Sequence, residues 1–326
     1  MDSVLQIVEP NALLMEALDV DAQFLVPREG PLAWEAGGLA FVDQFGRRFR
    51  SGGAFYSQVN SPLHEGSMAG LESYQFPSIS NFARFSGLRE HAQALFADGY
   101  GLAADGAWGI YEIASSLRGA EEYFADLALN PDYAAALAER VLEEHLKPYY
   151  KALLAEVGPW VQMVVISDDY GSQQDLLFSP LTFRKIFKPR LRRLVDCIHT
   201  LTDARIYIHS DGAISRIIPD LIEAGIDGIN PVQYTARGME ADRLKREFGR
   251  NLGFFGGGID NAILTGQTPQ AVRRDVARQI RALAPGGGYL CATIHNIPPE
   301  APPENVVAFF RAAAEHGRYP IQTDPV

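Results

Sequence analysis

Cysteine is nearly absent: Cys197 and Cys291 are the only two in 326 residues, and no CxxC pair occurs. A disulfide scaffold is therefore not expected. Dense Lys/Arg tracts are missing as well, and the formal net charge is −11. That balance argues against nucleic acid or an anionic membrane as a partner. No apolar run reaches the roughly 18 residues that would suggest a membrane span. The N-terminal stretch MDSVLQIVEPNALLMEALDV carries acids rather than a basic flank and has no continuous apolar core, which argues against a signal peptide. The expectation is a soluble, cytoplasmic protein. Also absent is a GxGxxG turn with a downstream acid, the mark of a dinucleotide site. The triplets Gly256-Gly257-Gly258 and Gly286-Gly287-Gly288 lack the Lys-Ser/Thr that a P-loop requires. They read as tight turns or points of close packing rather than phosphate cradles.

What is present is ample material for a core, with 47% hydrophobic residues, and a regular alternation from about residue 160 onward. VQMVVIS leads through DDYGSQ to a helix opening near Ser179-Pro180, an N-cap followed by proline. ARIYIH leads through SDG to ISRIIPDLIEAG, where Gly225 is a natural stop. IDGIN leads to MEADRLKREFG, NLGFFGG to a helix at Thr268-Pro269, and GYLCATI to one near Pro302-Pro303. Repeated strand–helix units with short connections imply a parallel sheet, because parallel strands need a crossover. In the first half DAQFLV and GLAAD read as strands, and helical text over 119–156 breaks at Asn130-Pro131. With a short RYPI near the C-terminus the strands number eight. The expected fold is a (β/α)8 TIM barrel, a single domain over 1–326, with a β-hairpin insertion at about 29–63 after the first strand. A doubly wound open sheet is the competing architecture.

Polar residues gather where this reading puts the carboxyl ends of the strands, the face on which barrel enzymes keep their chemistry. They are Asp105, Asp168, Asp169, His209, Asp211, Asn230, Gln233, Asp260, Cys291, His295 and Asn296. Each has a structural alternative, since acids favour loop starts and Asp-Gly is a turn dipeptide. The stretch ARIYIHSDG delivers His209 and Asp211 into one turn. His209, Asp211 and Cys291 are of the types that bind zinc, and catalytic zinc takes three protein ligands plus an open position. A metal-free arrangement uses His295 as general acid or base, oriented by Asp169 or Asp211. Asp105, Asp168, Asn230, Gln233 and Asn296 are then expected to contact a small-molecule substrate.

At these residues the chain resembles the uroporphyrinogen decarboxylase superfamily, which also holds the methylcobalamin:coenzyme M and other corrinoid-linked methyltransferases. The resemblance runs over about 95–320 and rests on SDDYGSQ, SPLTFRKIFKPRLRRLVD, IHSDG, IIPDLIEAGIDGINPVQ, ARGMEADRLKREFG, GFFGGGID and the tract TPQAVRRDVARQIRALAPGGGYLCATIHNIPPEAPPENV. It implies a (β/α)8 barrel with a pocket at its carboxyl face, and it is nearer the methyltransferase-like branch. The decarboxylases' arginine-rich N-terminal segment and first-strand aspartate have no counterpart, since FLVP stands there; His295 does match their closing-strand histidine. The methyltransferases' zinc motif is His-x-Cys plus a later Cys. Here His209 fits, Asp211 replaces the first cysteine, and Cys291 lies near the second. A carboxylate in place of a thiolate makes a harder, more Lewis-acidic site, which turns the expectation from thiol alkylation toward an ether or amine methyl donor. The resemblance thus implies zinc as metal and methylcobalamin, carried by a separate corrinoid protein, as co-substrate. The alternatives are a decarboxylase or lyase on a small acid without metal, and a non-catalytic binding protein on the same barrel. Methyltransferase-like members carry an extra segment before the first strand, and the N-terminus here reads shorter.

Overall fold

The computed structural model of the chain describes residues 11–29, 32–35, 37–52 and 56–322. They form two compact units. One takes in Ala22–Asp168 and Leu181–Ala204; the other takes in Asn11–Asp21, Asp169–Pro180 and the chain from Arg205 onward.

In the first unit, Ala22–Leu25, Gly101–Trp108 and Met163–Ser167 form a parallel ladder with Ala103 opposite Met163 and Phe24 opposite Ala103. Between the first two strands lies the expected insertion, larger than one hairpin. Ala33–Trp34, Ala40–Val42, Arg48–Ser51 and Tyr56–Asn60 make a four-stranded antiparallel meander. Its inner face stacks Phe41 on Phe49 at 5.1 Å. Arg47 is buried under it, paired with Asp43 at 2.6 Å and lying over the rings of Phe45 and Trp108. A buried guanidinium is tolerated because both its charge and its planar faces are matched. The helical text breaks where expected: Ala120–Leu129 ends at Asn130, and Pro131 opens Pro131–Arg140, where its missing N–H costs nothing.

In the second unit, Arg205–His209, Gly228–Asn230, Gly253–Phe255 and Tyr289–Leu290 run parallel in that order. Helices punctuate them at the expected signals. Gly225 follows Ile218–Glu223 with φ +94°, a conformation that glycine adopts without strain. Thr268 caps Pro269–Leu283 by accepting from the Ala271 amide, and Pro303–His316 follows Pro302. The core here is an apolar cluster of Ile259, Leu264, Val272, Val276, Ile280 and Phe309. The expected strand at RYPI is not one. Arg318–Pro320 is a bend with Tyr319 59% exposed, and a proline there offers no N–H to a ladder. No helix among the described residues is long and apolar enough to cross a membrane.

Candidate metal and active site

The turn at His209–Gly212 is fastened by side chains from its neighbours in the second unit. Buried Ser210 accepts the Tyr170 amide at 2.9 Å through its hydroxyl. The Asp211 amide donates to Asp169 Oδ1 at 2.7 Å, and the Gly212 amide donates to Gln233 Oε1 at 2.6 Å. The backbones of two turns also press together. A Cβ on Gly212, whose φ is +85°, would meet the Gly171 carbonyl carbon and the Ser172 oxygen at 2.6 Å each. Glycine is required there on both counts. Asp169 and Gln233 thus set the path of the turn, and Ser210, whose position inside HSDG was its only signal, belongs with them.

The consequence is a convergence of side chains. His209, Asp211 and His295 bring one potential ligand atom each to within 4.8 Å of one another. His295 Nε2 lies 3.8 Å from Asp211 Oδ2, and the two imidazole rings are 6.2 Å apart, edge to face. His209 Nδ1 is 2.6 Å from Asn230 Oδ1, so its Nε2 is the nitrogen left for the cluster. Asp211 Oδ1 is buried without a hydrogen-bond partner. Burial pushes the Asp211 carboxyl above its ordinary pKa. The neighbouring imidazoles of His209 and His295 oppose that shift, and the Asp169 carboxylate adds to it. A carboxylate desolvated in this way, with one oxygen unsatisfied and two imidazoles alongside, offers donor atoms of the kind that can hold a cation.

Cys291, expected as the third ligand, is set apart from this group. It packs against the apolar cluster, and its Sγ fills the place beside Gly258, where a Cβ would come within 2.7 Å of it. Burial pushes its thiol up to about 11. His295, expected from sequence as general acid or base, is the third member of the cluster with His209 and Asp211.

Other expected site residues have defined places. Asp168 is 1% exposed, and its two carboxylate oxygens accept from the amides of Tyr111 at 3.0 Å and Glu112 at 2.9 Å. It anchors the start of Ile110–Arg118 within the first unit, where a negative charge is also favoured by the helix dipole. Asp105 lies on the Gly101–Trp108 strand of that same unit. Asp260 caps Asn261–Gly266 by accepting from Ala262 at 2.8 Å. Asn296 is exposed, and its backbone oxygen accepts from Asn261 Nδ2 at 3.1 Å.

The family model of uroporphyrinogen decarboxylase (URO-D) matches residues 106–316. Among solved structures, a methyltransferase from Methanosarcina mazei is similar at 19% identity over 94% of this chain and 84% of its own, with a TM-score of 0.69. At that identity the fold is what the two share. A thermostable xylanase mutant from Cellvibrio japonicus follows at 10% identity over 74% of this chain and 80% of its own, with a TM-score of 0.40. No curated protein matches the chain. The family match and the methyltransferase likeness bear out the α/β, TIM-barrel-like fold read from the strand–helix alternation.

Proposed function

Because the chain belongs to the uroporphyrinogen decarboxylase family, we propose that it is an enzyme of that family's methyltransferase-like kind. It moves a methyl group between a small methylated substrate and a corrinoid carried by a partner protein. The observation that carries the reading is the convergence of His209, Asp211 and His295. Two imidazoles and a carboxylate suit zinc or a similar divalent ion, and they leave coordination positions open for substrate. When bound, the metal supplies Lewis acidity to the oxygen or nitrogen that bears the methyl group. The likeness in fold to a methyltransferase supports the class of reaction.

The chain's own residues do the rest. Asp169 and Gln233 hold the Asp211–Gly212 backbone, so that the carboxylate stays beside the two imidazoles. In the demethylating direction the methyl group leaves as a cation equivalent and bonds to Co(I) of the corrinoid. Cobalt is thereby oxidised to Co(III), and the released oxygen or nitrogen keeps the bonding pair and takes up a proton. His295, half exposed and at the edge of the cluster, is placed either to ligate or to deliver that proton.

The test is metal uptake followed by turnover. Purified protein incubated with Zn2+ is expected to retain one equivalent, with His209→Ala and Asp211→Ala losing it. Spectral titration of cob(I)alamin with a panel of methoxylated and methylamine compounds is then expected to produce methylcobalamin. Protein that takes up no divalent metal under any condition refutes the metal-dependent reading. A second reading, metal-free decarboxylation of a small acid with His295 as proton donor, draws on the 3.8 Å approach of His295 to Asp211. Turnover of a carboxylic acid that survives chelation and is lost in His295→Ala would establish it instead.

A further inference from the structure

His209 and Asn230 stand directly opposite one another in the parallel ladder of Arg205–His209 and Gly228–Asn230, so their side chains share a face. The 2.6 Å contact between His209 Nδ1 and Asn230 Oδ1 leaves open, by distance alone, which atom carries the proton. The other end of the amide decides it. Asn230 Nδ2 donates to the backbone oxygen of Phe255 at 3.3 Å, on the next strand of the ladder. A carbonyl oxygen can only accept, so the amide nitrogen must face Phe255 and the amide oxygen must face His209. That oxygen in turn can only accept, so Nδ1 of His209 carries the hydrogen. A neutral imidazole holds one such hydrogen, and Nε2 therefore presents a lone pair toward Asp211 and His295.

We infer that Asn230 is a positioning residue that selects the Nδ1–H tautomer of His209 and so keeps Nε2 available as a donor to whatever occupies the cluster. The Phe255 carbonyl is the fixed reference that orients the amide, and Asn230 passes that orientation to the imidazole across one strand spacing. Asn230 was expected to contact substrate; in the fold its amide oxygen meets His209 and its amide nitrogen donates to Phe255. The value of the tautomer for ligation rests on the proposed metal site, but the tautomer itself does not.

The experiment uses the full chain labelled with 15N-histidine, without metal, in mildly alkaline buffer. Two-bond 1H–15N correlation spectra distinguish Nδ1–H from Nε2–H, and His209 is picked out of the seven histidines by its loss in His209→Gln. The expected result is Nδ1–H for His209 in the wild type and in Asn230→Asp, and a switch to Nε2–H in Asn230→Leu. Zn2+ affinity, measured by competition with a chelating dye, is expected to fall about 10–100-fold in Asn230→Leu and to be largely kept in Asn230→Asp. An Nε2–H signature in the wild type, or unchanged Nδ1–H in folded Asn230→Leu, overturns the inference. If Asn230→Leu does not fold, the wild-type and Asn230→Asp spectra still decide it. A wild type that shows Nδ1–H yet takes up no zinc refutes the metal site and leaves the inference standing.

Discussion

Replacing Asp168 separates a binding role from a structural one. In the structure its carboxylate is almost fully buried, and both oxygens are used by the amides of Tyr111 and Glu112. The fit is close, because a Cβ on Gly109 would collide with the Asp168 side chain. Asp168→Ala therefore strands two amides at a buried helix start. Each buried donor left unsatisfied costs about 1–3 kcal/mol. With partial relaxation of the helix start, the sum is about 3 kcal/mol. Asp168→Asn keeps one acceptor oxygen and turns an NH2 toward the other amide, for a loss of about 1–2 kcal/mol. Urea unfolding followed by far-UV circular dichroism reads both values as shifts in midpoint at constant slope. Zn2+ affinity is expected to be unchanged in Asp168→Asn. A stability loss under 0.5 kcal/mol in Asp168→Ala, or a selective loss of substrate affinity in Asp168→Asn without destabilisation, would refute the capping argument and return Asp168 to the substrate.

Gly212→Ala combines a positive φ with a Cβ pressed on the Gly171 and Ser172 backbone; a loss of about 2–4 kcal/mol is expected, together with weaker Zn2+ binding because Asp211 moves with the turn. Asp211→Asn is expected to stabilise the metal-free protein at neutral pH by roughly 1 kcal/mol, since it removes a desolvated charge with an unsatisfied oxygen. The sign follows from linkage. A carboxyl whose folded pKa is raised contributes stability that is whole below its unfolded value and is lost as pH rises through the folded one. The advantage of Asn should therefore vanish in acid, and urea midpoints that differ equally at acidic and neutral pH would contradict this. Cys291, with its thiol pushed up to about 11, is about one part in ten thousand thiolate at neutral pH. Iodoacetamide should spare it until the protein is unfolded, and rapid modification mapped by peptide mass spectrometry would show the thiol to be open.

Local pattern carried most of the architecture. Strands of near-continuous apolar residues and helices opened by Ser, Thr or Pro and closed by Gly are properties of a few consecutive residues. They were readable wherever the local preference and the final environment agreed. RYPI failed because a tetrapeptide is a strand only if a neighbour supplies a ladder, and its own proline offers that ladder no N–H. The site divided along the same line. The sequence HSDG placed His209 and Asp211 together, since two residues in one turn cannot be far apart. Whether Cys291 or His295 joined them depended on side-chain direction beyond the Tyr289–Leu290 strand. There the apolar cluster around Phe309 takes up the sulfur, and the imidazole is left to Asp211.

The sequence by itself determined the alternation of strands and helices, the family, and the presence of a histidine–carboxylate turn, because each is encoded in contiguous residues. Tertiary structure alone decided which polar residues work in concert. Asp168 was drawn to two amides 57 and 56 positions away, and Asn230 was set between an imidazole 21 positions before it and a carbonyl 25 after. Hydrogen-bonding capacity belongs to a side chain, but its partner is chosen by the packing that brings distant backbone within about 3 Å.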